Sequence, residues 1–182
     1  MQKVTKDNFK EIIKNQNIAD IYFYWIDFSW FNFSCKNFTD CKIEKCNLSN
    51  ISLKDTTFNN LEFVNCKMMW LKFVDLNPFL SNFNFKDCNI NLSSFFWVNL
   101  KNTSFEDSEI KETDFTNAYL ENANFTYCNL EKSIFVNTNL KKTNFLWSYN
   151  FSIDPTINKL NKTKFTRENC LGLLSNLDII IE

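Results

Sequence analysis

The sequence predicts an all-β fold: a single right-handed parallel β-helix with a short N-terminal cap and a C-terminal helix. Three observations carry this. From Leu80 to Phe145 an apolar residue stands at every fifth position without a miss, a spacing that neither a 3.6-residue helix nor an alternating strand produces. Two residues before most of these centres stands a smaller one, such as Cys88, Ser93, Thr113, Ala118, Ala123 or Thr143, and in extended backbone residues two apart face the same side. The chain also has only one Gly and two Pro in 182 residues, so its corners must be turned by other residues, with Asn and Asp the best suited.

The elements follow in order. Residues 1–20 read as an N-terminal cap, with a short helix over residues 5–16 that carries Phe9, Ile12 and Ile13 on one side. Residues 21–151 carry the repeat. Its first register runs through Phe23, Phe28, Phe33, Phe38, Ile43, Leu48, Leu53, Phe58, Phe63, Met68 and Phe73, with Cys41, Cys46, Ile51, Thr56, Leu61, Cys66 and Leu71 as inner partners. Lys36 breaks this pattern at an inner position, so either the first coil is irregular there or Lys36 turns outward. Between Phe73 and Leu80 the spacing gains two residues, which places a register shift at 74–79 and a bulge around Asp75 to Pro78. The second register then holds to Phe145, and its centres alternate strictly between Phe and aliphatic residues from Phe85.

Residues 152–182 form a tail in which the repeat stops after Phe151. Residues 167–176 read as a helix with Thr166 as N-cap, presenting Leu171, Leu174 and Leu177 on one face, and residues 179–181 (Ile179, Ile180, Ile181) read as a terminal strand. Gly172 falls inside that helix, where it costs about 1 kcal/mol relative to Ala. Close approach of another element would account for it.

The stretch Thr113-Asp114-Phe115-Thr116-Asn117-Ala118-Tyr119-Leu120-Glu121-Asn122-Ala123-Asn124-Phe125 resembles the pentapeptide-repeat family over about residues 21–150. The resemblance implies a quadrilateral β-helix with four pentapeptides per coil. The Phe alternation agrees independently, because four faces stack Phe85, Phe105, Phe125 and Phe145 over one another, whereas three would stack Phe on aliphatic. The repeats then make about six coils, a rod roughly 30 Å long. The tail, from Asp154-Pro155 through Leu173-Leu174-Ser175-Asn176-Leu177-Asp178-Ile179, is similar to the C-terminal module of the quinolone-resistance and microcin-immunity group (Qnr, MfpA, McbG). There it implies a homodimer joined tail to tail, here through Leu171, Gly172, Leu174, Leu177, Ile179 and Ile181; a cap on a monomer is the other reading.

Composition restricts the chemistry. The chain has no His, the commonest general base and metal ligand, and one glycine cannot build a phosphate-binding loop. Seven cysteines fit small core residues in a reducing compartment. We expect no enzyme activity, no cofactor and no metal. With 20 basic against 21 acidic residues, a formal net charge of −1 and a single arginine, Arg167, direct nucleic-acid binding is not expected. No long apolar run suggests a membrane span or export signal, so the cytoplasm is the expected location.

Two surface features stand out. Between residues 102 and 131, Glu106, Asp107, Glu109, Glu112, Asp114, Glu121 and Glu131 face only Lys111. Outward aromatics form the second: Trp30 with Trp70, Tyr127 with Trp147, and Phe96 with Trp97. They read either as a protein interface, or as scattered surface aromatics or ones covered by the tail. The resemblance to the quinolone-resistance group implies a non-catalytic protein that binds DNA gyrase or topoisomerase IV as a partial duplex-DNA mimic. Duplex DNA would carry roughly eighteen charges over a 30 Å rod, so the charge match is confined to the acidic belt. The alternative is an interaction module for an unrelated protein.

Overall fold

The computed structural model describes residues 1–78 and 81–180; the expectations placed on Leu80 and Ile181 lie outside the described residues. The chain winds into a parallel β-helix with four faces. Strands β1 (Gln2–Val4), β2 (Asn17–Ala19), β3 (Ile21–Tyr24), β4 (Asn37–Glu44), β5 (Thr57–Val64) and β6 (Asn82–Lys86) form one parallel sheet in the order β1, β3, β4, β5, β6, with β2 also paired to β4. Beyond β6 the pairing continues as single parallel bridges, for example Asn89 to Glu109 to Asn129 to Tyr149. Each step is four pentapeptides, one per face.

The centres fill the interior as columns. Phe85, Phe105, Phe125, Phe145 and Phe165 stack with ring centroids 5.0, 4.7, 5.1 and 5.4 Å apart. A second stack, Phe95, Phe115 and Phe135, stands on the opposite face at 5.2 and 5.1 Å. The two meet edge to face across the interior, as in Phe105 against Phe115 at 6.0 Å and 90°, the arrangement that the ring quadrupoles favour. Ile90, Ile110 and Leu130, and Leu100, Leu120 and Leu140, are fully buried between them.

The inner positions are more than small. Thr138 and Thr143 donate their hydroxyls to the carbonyls of Phe115 and Leu120 in the adjacent coil, at 2.9 and 2.7 Å, and the thiol of Cys128 does the same to Phe105. Among the described residues no buried side-chain polar atom lacks a partner. A hydroxyl or thiol therefore adds a rung between coils without leaving an orphan group. Lys36 turns outward, its ammonium on the Asn15 carbonyl at 3.1 Å.

The corners are turned without glycine. Two residues after each centre from Phe23 to Met68 and from Phe85 to Phe145 the backbone is left-handed, with φ between 51° and 65°, whereas Asp75, two after Phe73, lies in a 3-10 turn. Asn is the commonest occupant, and Asn and Asp are the non-glycine residues that tolerate this region best. All five tryptophans also stand there: Trp25, Trp30, Trp70, Trp97 and Trp147.

The two extra residues are absorbed locally. Residues Phe73–Asp75 make a turn of 3-10 helix, the register slips between Asn59 and Leu61, and Lys72 pairs with Ser94. Phe83, at an inner position, fills the enlarged coil against Phe58 and Phe73 at 6.0 and 5.8 Å.

Both ends differ from expectation. At the N-terminus the helix shrinks to one turn, α1 (Phe9–Ile12), between strands β1 and β2; Phe9 and Ile13 are buried, with Phe9 edge-on to Phe28 at 5.3 Å. At the C-terminus the repeat resumes instead of stopping at Phe151. Asn139 and Asn144 bridge Lys159 and Lys164, and Asn158 and Thr163 take inner positions on the carbonyls of Phe135 and Leu140. The ladder is therefore longer than six coils.

The expected helix over 167–176 is only a short 3-10 helix, Asn169–Leu173. Asn169 explains why: its side-chain amide is held by the carbonyls of Phe145 and Ser148 at 2.6 and 3.0 Å, which lays the segment across the end of the coil. Residues 179 and 180 form no strand. Gly172 does meet a close neighbour, since a Cβ there would lie 2.6 Å from the Phe151 carbonyl oxygen.

The left-handed corners yield a stability prediction. Trp30 is 78% exposed, so its burial offsets little of the conformational cost. Trp30→Asn is expected to raise the unfolding free energy by about 1 kcal/mol, measured by urea denaturation; a loss of stability would show that the indole packs favourably.

Candidate interaction surfaces

The acidic belt does not stand free. Lysines one coil away reach into it: Lys86 lies 3.5 Å from Glu106, and Lys101 and Lys141 lie 3.7 and 3.3 Å from Glu121. Lys111 bridges Glu109 and Glu131 at 3.1 and 3.9 Å. The Lys141 hydrogen bond, then the neighbouring lysine charges, lower the pKa of Glu121 despite partial desolvation, and the Glu109 hydrogen bond raises that of Lys111. These pairs are solvent-exposed and add little stability, but they cancel much of the local field. Asp114 accepts the Thr116 N–H at 2.9 Å. Asp107 and Glu112 sit at exposed corners. Together the seven acids encircle the rod and form no single stripe.

The aromatic residues sort by corner. The corner N–H donates to the carbonyl just before the next corner in the column, so column order can be followed residue by residue. Trp30, Asn50 and Trp70 share one corner, and Asn50 separates the two indoles. Tyr127 and Trp147 are consecutive on another, with rings nearly parallel (9°) and centroids 6.5 Å apart. Trp97 stands on a third, beside Phe96 at 6.3 Å. Trp97 also borders a cavity of about 490 Å³ against the insertion, lined by Val74, Leu76, Pro78, Val98 and Tyr119. The tail leaves these rings open: Trp97 and Trp147 are each 56% exposed. Trp25, on the same corner as Trp147 and 70% exposed, escaped the sequence reading; its place two after Phe23 was the available signal.

The cysteines at inner positions are core residues. Cys46 and Cys128 have their pKa pushed up to about 12 by burial, and burial likewise raises that of Cys66. Among the described residues no three His, Cys, Asp or Glu side chains form a metal-binding group, and no helix is long and apolar enough to cross a membrane.

At the C-terminal end, Leu160, Phe165 and Leu173 are only partly buried, and Leu171, Leu177, Ile179 and Ile180 are exposed. Leu174 and Gly172 are partly buried.

Comparison with known proteins agrees with this geometry. Solved structures of QnrB1, a plasmid-mediated fluoroquinolone resistance protein, share the fold. A trypsin-treated variant superposes with a TM-score of 0.66 at 14% identity, covering 99% of this chain and 96% of that one. The full-length protein gives 0.60 at 15% identity, over 98% and 95%. None of the curated protein sequences matches. The family described as pentapeptide repeats matches residues 22–60 and 32–70, and that described as a pentapeptide repeat region matches residues 77–145. The matched segments coincide with the coils on either side of the insertion, and the chain belongs to the pentapeptide-repeat family.

Proposed function

We propose that this chain is a non-catalytic docking rod that binds a protein partner through aromatic side chains displayed at its corners. One observation carries the reading: every tryptophan occupies a left-handed corner while remaining 49 to 78% exposed. Bulky residues are disfavoured in that backbone region, and so little burial returns only a small hydrophobic gain. Neither folding term accounts for five such placements. A partner that buries the rings does, since aromatic residues dominate the anchoring contacts of protein interfaces. A chain carrying Trp97→Ser and Trp147→Ser is expected to lose a partner that the parent captures from host lysate. Identical capture by both would overturn the aromatic-corner reading.

A second reading names the partner. The likeness to a fluoroquinolone resistance protein along nearly the whole rod supports a type II topoisomerase, DNA gyrase or topoisomerase IV, met by the rod as a partial duplex-DNA mimic. The lysines paired with Glu106, Glu109, Glu121 and Glu131 weigh against a mimic based on charge alone. On this reading the purified protein inhibits gyrase supercoiling or protects gyrase from a quinolone. Absence of both effects at saturating protein overturns it.

The apolar C-terminal end supports a homodimer. The exposed Leu171, Leu177 and Ile179 flank a partly covered final coil, and an apolar solenoid end calls for a cap or a mate. Leu174→Asp with Ile179→Asp is expected to halve the mass in sedimentation equilibrium; an unchanged mass refutes a dimer through this end.

A further inference from the structure

The corner column that starts at Trp25 passes Lys45 and Asn65 and then changes character. Its next four levels are Asp87, Asp107, Tyr127 and Trp147. The order is fixed by the N–H groups of Asp87, Asp107 and Tyr127, which bond the carbonyls of Glu106, Thr126 and Leu146 at 3.1, 3.0 and 3.3 Å. All four residues are exposed and left-handed, with φ of 52°, 57°, 60° and 63°. Neither aspartate has an ion-pair partner among the described residues. The nearby cations are already engaged, Lys86 on Glu106 and Lys111 on Glu109 and Glu131. Where the ridge ends, Trp147 borders a cavity of about 390 Å³ that Tyr149, Thr166 and Glu168 also line.

We propose that the ridge Asp87, Asp107, Tyr127, Trp147 docks an extended, arginine-rich segment of a protein partner. The inference rests on the aromatic-corner reading and supplies the partner's chemistry. Two free carboxylates beside two open ring faces favour a cation that can both pair and stack. Guanidinium does both, whereas ammonium is compact and strongly hydrated. The spacing fits an extended chain. Four levels span three coil steps, about 14 Å, and same-side residues of a strand recur every ~6.8 Å, so two steps of the ligand cover the ridge. Glu168 offers a further carboxylate at the open end. Arg167, the chain's own guanidinium, does not line that cavity.

The full chain is titrated with a short labelled peptide of alternating Arg and Ser, with Lys–Ser and Glu–Ser peptides as comparators, and binding is read by fluorescence anisotropy. The parent is expected to bind the Arg peptide, the Lys peptide less tightly and the Glu peptide not at all. Tyr127→Ser with Trp147→Ser is expected to weaken binding about tenfold. Asp87→Asn with Asp107→Asn is expected to weaken it and to flatten its salt dependence. Trp25→Ser, on the same column but away from the ridge, should bind like the parent. Thermal unfolding of each variant confirms that it is folded. Unchanged binding by both ridge variants, or an equal loss in Trp25→Ser, overturns the proposal. If the parent ignores the Arg peptide yet still captures a partner through Trp97 and Trp147, the ridge chemistry fails and the docking rod stands. If it binds the peptide through the ridge but captures nothing, the ridge stands and that broader reading fails.

Discussion

The interior of a four-faced coil leaves room for one large side chain per face at each level, and this steric limit shapes everything else in the molecule. It calls for an apolar centre every fifth residue and leaves less room two positions before it, where Ser, Thr, Ala and Cys prevail in the second register, while Leu61, Leu71 and Phe83 fill the wider coils next to the insertion. It also dictates the ring geometry. Two Phe columns on opposite faces can fill the middle only by stacking along the axis and meeting edge to face, as Phe105 and Phe115 do. The small positions are then free to carry hydroxyls and thiols that tie one coil to the carbonyls of the next, which joins packing to hydrogen bonding in a single repeat.

Much of this was legible in the sequence because the period is short and the constraint acts on every level. The four-fold coil followed from the alternation of Phe and aliphatic centres, and the close approach at Gly172 from a lone glycine in an apolar tail. What escaped notice lies twenty residues apart. Lys86 with Glu106, Lys101 with Glu121 and Lys141 with Glu121 are each separated by one coil, so a belt judged along the chain looked more acidic than it is in space. The return of the repeat at Leu160 and Phe165 was in phase with Phe145, but Asn150 and Pro155 fill the two intervening centre positions and hid it. Phe151 and Ile153 bury themselves there out of phase. The three-residue spacing of Leu171, Leu174 and Leu177 suits a 3-10 turn as well as an α-helix, and the hold of Asn169 on the coil end decides between them.

The division of labour within the repeat explains how such a regular core can support a specific surface. Centre and inner positions are committed to packing. Corner residues contribute almost nothing to the core, so their identity is open to selection for other reasons, within the limits of left-handed backbone. Asn and Asp satisfy that backbone at little cost. Trp, Tyr, Leu and Glu do not, and these disfavoured occupants mark where something other than folding has acted. The Tyr127 and Trp147 pair differs from the Asn-rich corner of Asn102 and Asn122 in this sense, although both are built on the same framework.

The two-residue insertion near Pro78 has a consequence for the history and engineering of such a rod. The slip it introduces heals within one turn: Phe73 and Phe95 still stack at 4.2 Å across it, and Phe63 and Phe85 at 5.4 Å. Each level senses only the levels beside it, so a phase error does not propagate as it would through a globular core. Length and surface are thereby uncoupled. Whole turns can be duplicated, or a loop spliced into this bend, without re-optimising a single distant contact, and the bend at residues 73–78 is the natural seam at which to graft a foreign segment.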